Sequence, residues 1–166
     1  MKPFIYYLRT RSRLLCAALC FFGVLTGTVY ADASCTVSST GVSFGAYDVF
    51  NTSDSDTTGN ISVACTGLTE SSTVAYDILI STGGGAYASR AMTSGGHLLG
   101  YNLYTNNSRS IVWGDGSAGT AKISDGYGLG LSAVIKDYSI YGRIPARQNA
   151  YVGSYSDMII VTVNYL

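Results

Sequence analysis

Few residues in this 166-residue chain have the types and spacing that chemistry needs. His97 is the single histidine. It stands among glycines with no carboxylate close by in sequence, the setting of a surface residue rather than of an acid–base group. No serine has a His and Asp context that would activate it as a nucleophile. Asp54 and Asp56 have the Asp-x-Asp spacing that opens a calcium loop, but no glycine-containing loop and no closing Glu follow, so a solvated turn is expected there. Gly83-Gly84-Gly85 would let a backbone approach a phosphate, but no helix follows to receive it. Trp113, before Gly114-Asp115-Gly116, is expected to end a strand packed on the core. No enzyme, no cofactor and no metal site is expected.

The cysteines carry the remaining chemistry, and they divide by position. Cys16 and Cys20 lie in the N-terminal stretch, Cys35 and Cys65 beyond it. Lys2, Arg9, Arg11 and Arg13 form a basic region without an acidic residue. Residues 14–25 are almost wholly apolar, and both Val29-Tyr30-Ala31 and Ala31-Asp32-Ala33 offer small residues for cleavage. This is the layout of a secretory signal peptide, assigned to residues 1–31, with residues 32–166 as one domain. The apolar run of about a dozen residues is short of the roughly 20 that a spanning helix needs, so no membrane span is expected in the exported protein. Export places Cys35 and Cys65 where disulfides form. Two free thiols or metal ligands are the rival reading, which a single His and the lack of Cys-x-x-Cys do not favour. A bridge between them would close a loop of roughly 30 residues and stabilise by about 3–4 kcal/mol.

Losing the leader also changes the charge. Four basic residues go with it, leaving six Lys and Arg against ten acids, a net charge of −4. A mildly acidic surface without a basic cluster argues against nucleic acid as a partner.

The elements that position these residues are strands. The exported part is rich in Gly, Ser, Thr and Tyr, shows no sustained helical periodicity, and consists of short alternating runs between turn residues. Ser34–Ser39 places Cys35 and Val37 on one face, and Asn60–Cys65 places Ile61, Val63 and Cys65 inward. Asn51–Asn60 is polar and is expected to be a turn. Thr73–Ile80 alternates through Val74, Tyr76, Ile78 and Ile80, and Leu98–Tyr104 through Leu99, Tyr101 and Leu103. Ile111–Trp113, Gly128–Val134 and Tyr138–Ile144 follow as further strands. Tyr155–Leu166 is the strongest signal, with Ile159, Val161, Val163 and Tyr165 on one face and Ile160, Thr162 and Asn164 on the other. The expected fold is an all-β sandwich of about seven strands. A long apolar strand at the end of the sequence is a hazard unless an earlier strand or a partner covers its edge. The tyrosines fit amphipathic strands with one wet face better than an adhesive surface.

Taken in order, these segments resemble the spore coat protein U family. The resemblance lies in Ser34-Cys-Thr-Val37, Phe44-Gly-x-Tyr47, Ile61-Ser-Val-x-Cys65, Leu99 to Tyr104, Trp113-Gly-Asp-Gly116, Tyr141-Gly-Arg-Ile-Pro145 and Gly153-x-Tyr-Ser-Asp157, followed by the terminal strand. It covers essentially all of residues 34–166. It implies an immunoglobulin-like sandwich lacking its final strand, as in subunits of archaic chaperone–usher pili. There a periplasmic chaperone, and then the N-terminal extension of the next subunit, fills the groove beside the last strand. Ile159, Val161, Val163 and Tyr165 would border that groove. The partners implied are the chaperone, an outer-membrane usher and neighbouring subunits, and the location is the periplasm in transit and then the cell surface or beyond.

One departure matters. Cleavage after Ala31 leaves only three residues before Cys35, so the subunit could accept a strand but not donate one. Earlier cleavage, near Ala18, would keep Val24–Tyr30 as a donor. A stand-alone coat or matrix protein is the second function expected, and a carbohydrate-binding module using Tyr, Asn and Asp on exposed loops the third.

Overall fold

The computed structural model describes residues 33–166, and the leader assigned to residues 1–31, with Cys16 and Cys20, lies outside them. The described residues form eight strands and no helix: β1 (Ala33–Thr40), β2 (Ser55–Gly67), β3 (Thr73–Ile80), β4 (Arg90–Ser94), β5 (His97–Tyr104), β6 (Ile123–Gly128), β7 (Val134–Ile144) and β8 (Val161–Tyr165). They make an immunoglobulin-like sandwich of two antiparallel sheets, in the orders β1-β2-β7-β5-β4 and β6-β3-β8.

The period-two pattern decides which side chains meet between the sheets. Ile61, Val63 and Cys65 from β2, Leu99, Tyr101 and Leu103 from β5, and Ile140 and Ile144 from β7 are buried from one side. Val74, Tyr76, Ile78 and Ile80 from β3, with Ile159, Val161 and Val163 at and before β8, are buried from the other. Val42 and Phe44, in the connection after β1, join the same core. They lie over Gly142, where a Cβ would sit 2.7 Å from Val42 and 2.8 Å from Phe44, so only glycine leaves room for them.

The strand count is one higher than expected, and several boundaries differ. β2 begins at Ser55, inside the polar run expected to be a turn, because its first residues lie opposite the end of β7 and Asp56 faces Arg143. Gly128–Val134 is not a strand. Gly128 ends β6, Leu129 is buried, and the turn leaves Leu131 exposed before β7 begins at Val134. Ile111–Trp113 makes only isolated bridges, Val112 to Tyr104 and Trp113 to Ala121. β4 was not expected at all. The last strand is shorter than Tyr155–Leu166, since the chain is regular only over Val161–Tyr165.

Candidate functional site

β8 is an edge strand. Its five residues pair on one side with β3, from Tyr76↔Tyr165 to Ile80↔Val161, and no other strand among the described residues lies along its second side. Antiparallel pairing fixes which backbone groups face that side. The Leu166 amide donates to Ala75 O at 3.0 Å and the Ser81 amide to Ile160 O at 2.9 Å. Residues 160 and 166 therefore belong to the hydrogen-bonded pairs, and with strict alternation so do Thr162 and Asn164. Val161, Val163 and Tyr165 occupy the other pairs and turn their N–H and C=O groups away from β3.

The same three residues point their side chains inward. Val161 and Val163 are 1% exposed, as is Ile159, while Tyr165 is 43% exposed. The inward face of β8 is thus closed at its start and open at its end, where Tyr165 meets Tyr76 edge to face with ring centroids 6.5 Å apart. Tyr76 is the hub of a phenol network. Its hydroxyl lies 2.7 Å from that of Tyr138 and 3.2 Å from that of Tyr127, and Tyr138 donates to Asp125 Oδ2 at 2.6 Å. Burial pushes the Tyr76, Tyr127 and Tyr138 hydroxyls well above the ordinary phenol range, so they remain neutral donors at any physiological pH. They tie β3, β6 and β7 together across the sandwich.

The start of β8 is fastened by two polar groups that the sequence did not single out for a role. Arg90, at the start of β4, is fully buried. Its guanidinium donates to Ser81 O, to Trp113 O at 2.7 Å and to Asn102 Oδ1 at 2.6 Å. Burial, the largest influence, pulls its pKa below the usual arginine value. Ser81 in turn holds Ile160 through both its amide and its hydroxyl, the latter accepting from the Ile160 amide at 2.9 Å. Asp157 accepts from Gly84 N at 2.8 Å and from Tyr101 OH at 2.7 Å. The available signal was a lone arginine in an uncharged stretch, but sequence alone does not say that it is buried.

The other candidates separate. Cys35 and Cys65 sit directly opposite each other on β1 and β2 and are bonded, with S–S 2.04 Å. His97 is exposed and stacks on Tyr151 with centroids 3.9 Å apart. Asp54 and Asp56 bind arginines rather than a cation. Arg143 forks onto Asp56 at 2.8 Å through two nitrogens and reaches Asp54 at 3.2 Å, and Arg109 adds a contact to Asp56 at 3.2 Å. Gly41-Val42-Ser43-Phe44-Gly45 spells a nucleophile pattern, but it lies in a loop with no helix after it, and the Ser43 carbonyl is taken by Thr57. Among the described residues no three His, Cys, Asp or Glu side chains are grouped to hold a metal. No helix of the described residues is long and apolar enough to cross a membrane. A cleft of about 720 Å³ opens elsewhere, between residues 45–49 and 150–155.

Comparison with known proteins bears on the family and the fold. The family model described as "Spore Coat Protein U domain" matches residues 22–162. "Protein U" of Myxococcus xanthus is 31% identical over 140 residues, spanning 75% of this chain and 71% of that protein. The fold is also similar to a chain in the crystal structure of the CsuC–CsuE chaperone–tip adhesion subunit pre-assembly complex, from the archaic chaperone–usher Csu pili of Acinetobacter baumannii. The TM-score is 0.53 at 21% identity, over 79% of this chain but only 39% of that one.

Proposed function

The chain belongs to the spore coat protein U domain family, and from that premise we propose that it is an exported structural subunit of a chaperone–usher pilus, assembled by strand addition at β8. The observation that carries the proposal is the coincidence at Val161, Val163 and Tyr165. Their side chains face the core while their backbone groups face the open side. A strand added there would extend the three-stranded sheet, and each donor residue opposite one of these three would point inward. The half-exposed inward residues Ala33, Cys35 and Val37 of β1, packed against the core, offer further apolar surface. The role is assembly rather than chemistry.

The partners in this reading are a periplasmic chaperone, then an outer-membrane usher and neighbouring subunits. Residues 1–31 direct export, and the mature domain is 32–166. It passes through the periplasm and is displayed at the cell surface. The match of the family model from residue 22 takes in Val24–Tyr30, the segment that earlier cleavage would keep as a donor. An intact mass of the exported protein decides the point. A start at Asp32 or Ser34 makes it an acceptor only, suited to a fibre end, and a start near Leu19 makes it a polymerising subunit.

Val163→Pro tests the edge itself. Proline removes the central outward N–H without removing a bond to β3, a position where edge strands tolerate it. The wild-type chain is expected to take up a synthetic peptide of residues 22–31, or to be captured by a co-exported chaperone. The variant is expected to fold, keep its disulfide and do neither. A wild-type protein that is a stable monomer and takes up no strand would sink the proposal.

A further inference from the structure

Two features of the sequence meet in the structure without a role in the proposal above. Gly83-Gly84-Gly85 follows β3, and Asp157 closes the Gly153-x-Tyr-Ser-Asp157 segment. The Asp157 carboxylate lies in the glycine turn. Oδ1 accepts from Gly84 N at 2.8 Å and from Met158 N at 2.7 Å, and Oδ2 accepts from Tyr101 OH at 2.7 Å. The turn is shaped for it. Gly83 has φ +65°, and a Cβ there would overlap Asp157 Oδ2. At Gly84 a Cβ would stand 3.3 Å from Oδ1.

The place of this contact in the topology gives it meaning. One residue earlier, Ser156 pairs with Thr93 on the outer side of β4, exchanging hydrogen bonds of 2.9 and 3.1 Å. Three residues later, Ile160 pairs with Ser81 at the end of β3. Between Ser156 and Ile160 the chain leaves the five-stranded sheet and enters the three-stranded one. Asp157 is the pivot, held from the first sheet by Tyr101 of β5 and from the turn after β3 by Gly84. Pairing slips in steps that turn side chains over or displace them by a full repeat. Fixing the pivot therefore fixes which residues of β8 face inward and which backbone groups face out.

We propose that Asp157 is a positioning residue for strand acceptance. Seated in the Gly83–Gly85 turn and held by Tyr101, it sets the sheet change and with it the register of β8, so that Val161 and Val163 present the open edge in a form ready to pair. This rests on the acceptor reading above and names what prepares that edge. Pre-organisation of this kind acts on the rate at which a partner is taken up, since the ordering cost is met before the encounter.

The test uses the full exported, disulfide-bonded chain. In Asp157→Asn, hydrogen exchange at the Ser81 amide, whose bond to Ile160 closes the start of the β3–β8 pair, is expected to quicken at least tenfold. Exchange at Ile61 and Ile140 in the five-stranded sheet should be unchanged. Uptake of the 22–31 peptide should slow by about the same factor, with a smaller change in Tyr101→Phe, which removes the hydroxyl that donates to Asp157 Oδ2. A purely structural role would speed all these amides together. Unchanged exchange at Ser81, or equal peptide uptake by variant and wild type, would overturn the positioning role. A wild-type chain that takes up no strand overturns the acceptor reading instead, and the exchange measurement, which needs no donor, tells the two failures apart.

Discussion

Two edges of the sandwich are treated in opposite ways. The outer side of β4 is met by the chain itself, where Thr93 and Ser156 exchange both hydrogen bonds. The outer side of β8 is met by no strand among the described residues. One segment makes both edges, since the residues that bridge to β4 run directly into β8. The other two edge strands are blunted by composition. β6 carries Gly126 and Gly128 beside Asp125, and β1 turns Ser34, Thr36, Ser38 and Thr40 to solvent. Residues 158–166 contain no charge and no proline, the guards that natural edges use. The difference teaches that, of the two edges this segment makes, it closes the one at β4 and leaves the one at β8 unguarded.

The comparison breaks first at Arg90, which joins the two sheets at the start of β8. Replacing it with Met leaves Ser81 O, Trp113 O and Asn102 Oδ1 without their buried donor. The expected loss is about 3–5 kcal/mol, measured by urea unfolding with the disulfide intact. Arg90→Lys should recover little, because one ammonium cannot fork across three acceptors. A loss under about 1 kcal/mol would mean that the Arg90 guanidinium is not what joins the sheets at this point.

How much of this was legible depends on what each residue answers to. Residues that answer to their own periodicity were found. Ile61, Val63, Tyr76, Ile78, Leu99, Leu103, Val161 and Val163 were all expected inward, and all are buried. Residues that answer to distant partners were missed. β2 extends into a Ser/Thr/Asp run because β7 lies opposite it and Arg143 meets Asp56. β6 is a strand in spite of Gly126 and Gly128, because β3 supplies its pairs. β4 opens with an arginine whose burial is set by carbonyls from two other parts of the chain. The candidate site divides the same way. The inward face of β8 follows from alternation, but the outward direction of the Val161 and Val163 backbone needs the register against β3. The role of Asp157 needs the glycine turn that tertiary folding brings to it.

Ser156→Pro sharpens the comparison from the closed side. It deletes the amide that donates to Thr93 O at 3.1 Å, which should cost about 1–2 kcal/mol and open the β4 edge. Sedimentation should then show new self-association. Val163→Pro should cost less, because the Val163 N–H has no partner on β3. Equal losses from the two substitutions would mean that the Val163 amide is bonded within the fold and that the two edges are alike.

The smallest effect expected is on the acid side of the stability curve, and it separates the sheets by their charges. Asp77 lies on the outer face of β3, nearly buried, opposite Asn164 of β8. The Lys122 hydrogen bond first, and that of Ser124 second, hold its carboxyl below the ordinary range. A depressed folded pKa means that the stabilisation is complete above about pH 4, the unfolded value, and drains away as pH falls through the folded one. Lys122 is half-exposed, so screening limits the contribution to about 0.5–1 kcal/mol at neutral pH. Asp77→Asn should lower neutral stability by that amount and flatten the decline below pH 4, read from urea midpoints across pH. Asp56, depressed chiefly by its hydrogen bond from Arg143, carries the same sign on the five-stranded sheet. An acid limb that Asp77→Asn leaves unchanged would therefore assign the loss to the other depressed carboxylates, Asp56 on the five-stranded sheet and Asp125 on β6 among them, and not to the Asp77–Lys122 contact.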